Sequence, residues 1–127
     1  MQIVTLSNGK KVANFSSPHD FKFTDGSILP AVVPELATLL QVTFIEDLHD
    51  NGDVMLSFDL SDVIINEMAW WNDCHLAGDV DVVFCPLPMI TAIKESYGTL
   101  WIKASPFRAI RIEDRINKLV SIDKQCI

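Results

Sequence analysis

The sequence predicts an α+β fold, a small single domain of antiparallel strands with two or three helices. Three observations carry this. Val42–Ile45 and Val54–Phe58 flank Asp50-Asn51-Gly52-Asp53, and Asn-Gly is the favoured pair for a tight hairpin turn. Ile64, Met68, Trp71 and His75 recur at helical spacing and give one run a wide apolar face. Val80–Cys85 is a mostly apolar strand that ends at Pro86-Leu87-Pro88 and is followed by a second helical run. The chain has 127 residues, of which 49% are hydrophobic. That length suits one domain, 1–127, with one buried core and no need of staples.

The elements follow in chain order. Residues 2–6 and Lys11–Phe15 read as short strands around the turn Ser7-Asn8-Gly9. Phe21–Thr24 is a third strand, closed by Asp25-Gly26. Pro34 suits the first position of a short helix to Leu40, because its missing N–H would be unpaired there anyway. The hairpin comes next, and then a helix from Ser61 or Asp62 to about Leu76, stopped by Gly78. Val80–Cys85 is apolar enough for a central strand. Met89–Ser96 reads as a helix ended by Gly98, Leu100–Ala104 as a strand, and Phe107–Ile112 as another. Ile112–Val120 fits a helix by period and a strand by β-branched content, and both readings stand.

Charge divides the chain. The net charge is −7, with −10 on residues 1–100 and +3 on residues 101–127. An acidic surface excludes nonspecific nucleic-acid and anionic-membrane binding, which rest on basic patches. No run of eighteen apolar residues is present to span a bilayer. Met1–Ser7 lacks the basic-then-apolar pattern of a secretion signal. Cys74, Cys85 and Cys126 are an odd, scattered set, which points to a reducing cytoplasm rather than a disulfide scaffold. All three arginines fall between 108 and 115. Guanidinium is the planar, bidentate cation for phosphate, so the segment is either an anion site or a set of ordinary partners for Glu113 and Asp114.

Metal and catalytic motifs are missing. Glu46–Asp53 set on a calcium loop puts His49 at the third ligand and Phe58 at the twelfth, where oxygen ligands belong. The cysteines and His75 lack zinc spacing. No glycine-rich phosphate loop or nucleophile elbow occurs. Cys85 as a nucleophile, and Asp79 with Asp81 as a carboxylate pair for a nucleotide hydrolase, are the enzymatic alternatives. An acidic DNA-mimic inhibitor of a host nuclease is another, although the acids form no regular stripe. Binding fits better. Phe84 near the end of the central strand supplies a stacking face, and the arginines supply phosphate forks. Arg111 and Arg115 would be neighbours on a helix, but on a strand would stand about 13 Å apart.

Three blocks resemble one family. They are Phe23–Ala31, the run Asp79–Pro88 with the helix after it, and the ending Arg111-Ile112-Glu113-Asp114-Arg115 to Cys126-Ile127. They resemble the first type of Thoeris anti-defence protein of phages and prophages. The resemblance implies a non-catalytic sponge in the cytoplasm of an infected bacterium. Such a protein sequesters cyclic ADP-ribose immune signals, and in some members cyclic oligonucleotides, without a cofactor or metal. It also implies a homo-oligomer with sites between protomers. Carried over to this chain, Phe84 stacks on the base and Arg111 and Arg115 hold the phosphates. The Asn that the resemblance expects from a neighbouring subunit, in or after the helix following the Pro-x-Pro turn, is absent, and Lys94 is expected to contact phosphate instead.

Overall fold

The computed structural model describes residues 2–48 and 51–127. His49 and Asp50, weighed above for the calcium loop and the hairpin turn, and Met1 of the N-terminal reading, lie outside the described residues. The strands are β1 (Ile3–Thr5), β2 (Lys11–Asn14), β3 (Phe21–Lys22), β4 (Ile28–Leu29), β5 (Thr43–Leu48), β6 (Val54–Asp59), β7 (Val82–Phe84), β8 (Phe107–Asp114) and β9 (Leu119–Cys126). The helices are α1 (Pro34–Leu39), α2 (Asp62–Leu76), α3 (Leu87–Tyr97) and α4 (Thr99–Ala104). The fold is α+β, and among the described residues no helix is long and apolar enough to cross a membrane.

One five-stranded sheet, in the order β1-β2-β7-β8-β9, organises the chain. Its outer pairs are antiparallel, as expected, but β2–β7 and β7–β8 are parallel. Parallel neighbours need a crossover, and α3 with α4 supplies it between β7 and β8. β7 is the middle strand, in keeping with its apolar sequence. The hairpins β3–β4 and β5–β6 stand as separate ribbons.

Both faces of the sheet are covered. Val83, Cys85, Phe107 and Ala109 point to a core shared with Ile64, Met68 and Trp71 of α2 and with Ile90 and Ile93 of α3. Val12, Val82, Phe84 and Val120 point the other way, to Phe23 and Leu29 of the β3–β4 region. Helix α2 starts where Ser61 accepts a hydrogen bond from the Ile64 N–H. It runs to Leu76, and Gly78 follows at φ 83°, a left-handed conformation that suits glycine.

Two expectations need correction. Leu100–Ala104 is helical, giving a fourth helix rather than a strand. Trp101 stacks on Tyr97 and Phe107 at 4.6 and 6.2 Å while its neighbour Ile102 is fully buried. Two consecutive inward residues suit a helix, whereas a strand alternates. The ambiguous stretch 112–120 is neither one helix nor one strand. β8 continues to Asp114, a turn spans 115–118, and β9 begins at Leu119.

Candidate functional site at the end of the central strands

β2 and β7 end side by side, with Asn14 opposite Phe84. β8 pairs with β7 only as far as Arg108 opposite Phe84 and then continues to Asp114. The Cys85 N–H still donates to the Arg108 carbonyl before Pro86 turns the chain away into α3. A notch therefore opens at the C-terminal end of the parallel strands, the usual position for ligands in such sheets. It holds a cleft of about 300 Å³ lined by Ser17, Phe21, Cys85, Pro86, Leu87, Ala109, Ile110 and Cys126. A second cleft, of about 280 Å³, lies on the other side of Pro86, between Ser16, Leu40, Pro88 and Met89.

The loop before β3 is fixed by a buried amide. Asn14 donates to the Ser17 and Pro30 carbonyls and accepts from the Ser17 N–H. Val32 also donates to the Ser17 carbonyl. These bonds place Ser17 and Phe21 at the rim.

The expected ligand residues lie at four places. Phe84 is 1% exposed, with Phe23 tilted over it at 5.8 Å and Phe21 edge-on at 6.2 Å. Arg111 is exposed on β8, next along the strand from Ile110 of the cleft. Arg115 is exposed in the β8–β9 turn. Arg111 lies within β8 and Arg115 in the turn that follows it, so the two are not neighbours on one helix face. Lys94 is half-buried in the last turn of α3, about 10 Å along the axis from Leu87 at the notch. One chain thus brings Phe84 and Arg111 to the same end of the sheet. It leaves Arg115 at a hairpin tip and Lys94 at the far end of the crossover helix.

Arg108 has a different environment. Its Nη1 donates to the carbonyls of Ile102, Ser105 and Phe107, and its Nη2 to that of Lys103. The guanidinium closes the C-terminus of α4, where carbonyls lack helical partners and cations are favoured. Asp114 is similarly committed, accepting from the Ile116 and Asn117 N–H groups and from the Asn117 side chain. Among the described residues, no hydrogen bond or ion pair engages the guanidinium of Arg111 or Arg115.

The catalytic alternatives have this geometry. Cys85 is 4% exposed, and burial pushes its thiol far above the ordinary range, so it carries almost no thiolate. Asp81 accepts from the Lys11 N–H, binding the start of β2. Asp79 is exposed beside it. His75 Nδ1 lies 2.9 Å from the Val80 carbonyl, a packing role at the end of α2. No protein family, curated protein or solved structure matches the chain.

Sequence reading did not place Phe21, Ser17 or Cys126 at this cleft. Phe21 carries only a strand signal, and its approach to β7 depends on how β3–β4 packs on the sheet. The pairing of Cys126 with Ala109 across β8–β9 brings the last strand there.

Proposed function

We propose that the protein binds and sequesters a small cyclic nucleotide signal of the cyclic ADP-ribose type without cleaving it, as a phage anti-defence sponge in the bacterial cytoplasm. One observation carries the reading. An apolar, aromatic-edged cleft ends the central strands, and the strand beside it carries Arg111 and leads into a turn with Arg115, two guanidiniums with no side-chain partner among the described residues. Such an arrangement offers an apolar seat for a base and planar cations for phosphates. The three sequence blocks that resemble the Thoeris anti-defence family support the same chemistry.

The separation of Lys94 and Arg115 from Phe84 favours a site completed by a second protomer. Exposed apolar groups add to this: Trp70 is 47% exposed on α2, beside the buried Trp71. The protein is expected to be a homo-oligomer at micromolar concentration. A strictly monomeric mass by light scattering removes the shared site.

Function is tested by incubating the protein with cyclic ADP-ribose isomers, removing unbound ligand, denaturing by heat and analysing what is released. Intact ligand is the expected result. Altered ligand makes the protein a nucleotide hydrolase, and no retained ligand sinks the sponge reading and leaves the acidic inhibitor.

A further inference from the structure

We infer that Phe21, not Phe84, presents the ring on which the flat base of a bound nucleotide stacks, and that Phe84 is a positioning residue beneath it. This rests on the nucleotide-binding reading above. A ring that is 1% exposed has no open face for a ligand, and both Phe21 and Phe23 pack against it. Phe21 is half-buried, contributes to the same core and also lines the cleft. Its ring plane is turned 62° from that of Phe84 at a centroid separation of 6.2 Å. An edge contact of this kind fixes the orientation of Phe21.

The chemistry of the cleft selects the occupant. Ser17, Cys85, Pro86 and Ile110 surround Phe21, and among the described residues no charged side chain lines the space. A charged group would be desolvated there without a partner. At about 300 Å³ the cleft is at the small end of ligand pockets, with room for a base rather than a whole dinucleotide. Arg111 follows Ile110 on β8 and is exposed, so the anionic part of the ligand has its complement outside the cleft. The occupant is therefore the uncharged heterocycle of an anionic nucleotide.

Cys126 provides the reporter, since it lines the cleft and is exposed while Cys85 is buried and Cys74 half-buried. The experiment measures the rate at which N-ethylmaleimide alkylates Cys126 in the full chain, with and without millimolar adenosine or AMP. Calorimetry with AMP and cyclic ADP-ribose runs beside it, on wild type, Phe21→Leu, Phe21→Tyr and Phe84→Leu. Thermal melts confirm that each variant is folded.

Both adenosine and AMP are expected to slow alkylation of the wild type. Phe21→Leu keeps apolar bulk but removes the π-face, and should weaken AMP roughly tenfold. Phe21→Tyr should bind as wild type does. Phe84→Leu should melt at a lower temperature and, because the edge contact that orients Phe21 is lost, weaken AMP, but by less than Phe21→Leu does. The inference is overturned if Phe84→Leu, still folded, loses more affinity than Phe21→Leu, or if neither probe protects Cys126. Retention of cyclic ADP-ribose by wild type and Phe21→Leu alike overturns it while leaving the sponge reading intact. Protection by adenosine that Phe21→Leu abolishes, without capture of any cyclic ADP-ribose isomer, supports it while the sponge reading fails.

Discussion

The two ends of β8 use the same residue type in opposite ways. At its start Arg108 donates to four main-chain carbonyls at the α4 terminus and is partly withdrawn from solvent. Toward its far end Arg111 and Arg115 project into solvent, and the nearby Asp114 carboxylate is taken up by its own turn. A cluster of arginines in sequence is therefore not one site. Position relative to unpaired carbonyls decides which cation is structural and which is available to a ligand.

The largest expected effect lies at the first end. Arg108→Met keeps an apolar stem but removes every donor, leaving the α4 carbonyls short of partners. Charge-assisted hydrogen bonds are worth about 1.5–3 kcal/mol each and are not additive, so a loss of about 2–4 kcal/mol is expected. In a domain of this size that lowers Tm by roughly 6–16 °C. Arg108→Lys should recover only part, since an ammonium lacks the planar fork. Urea melts that place Arg108→Met within error of wild type break the contrast at its structural end.

At the other end the effect moves from stability to binding. Arg111→Ala and Arg115→Ala should each change unfolding free energy by less than about 0.5 kcal/mol, as exposed substitutions do. Each should weaken capture of a cyclic ADP-ribose isomer by roughly tenfold to a hundredfold, the value of one charge-assisted bond. Calorimetry and melts on the same preparations separate the two quantities. Normal ligand capture by both variants removes these arginines from the site.

How much of this was legible depended on range. The β5–β6 hairpin and α2 announce themselves through Asn51-Gly52, Ser61 and the Ile64–Met68–Trp71 spacing, all local signals. The parallel pairing of Val12 with Val82 joins segments far apart in the chain, and no local pattern encodes it. One misreading propagated. Taking Leu100–Ala104 as a strand hid the helix terminus, and with it the carbonyls that hold Arg108. Phe84 was legible as an aromatic at a strand end. That Phe21 and Phe23 cover it was not, because alternation along β7 gives the face and not what packs there.

The smallest expected effect sharpens the comparison most, because it tests why the two outer arginines have no side-chain partner among the described residues. The hydrogen bonds from Asn117, side chain first and then backbone, hold the Asp114 carboxyl below its ordinary value of 3.8, with slight desolvation acting the other way. A carboxyl depressed in the folded state stabilises the turn above its unfolded pKa, and that contribution fades as pH falls through the folded value. In a carbon-13 NMR titration the Asp114 carboxyl should therefore titrate below 3.8. The amide signals of Ile116 and Asn117, its main-chain donors, should move with the same midpoint. Asn117→Ala removes the donor at 2.8 Å and should shift the midpoint up toward the ordinary value. A midpoint already ordinary in the wild type, with both amides unmoved, means that Asp114 does not hold the turn. Its carboxylate is then available to Arg111 or Arg115 as an ion-pair partner, and the difference between the two ends of β8 disappears.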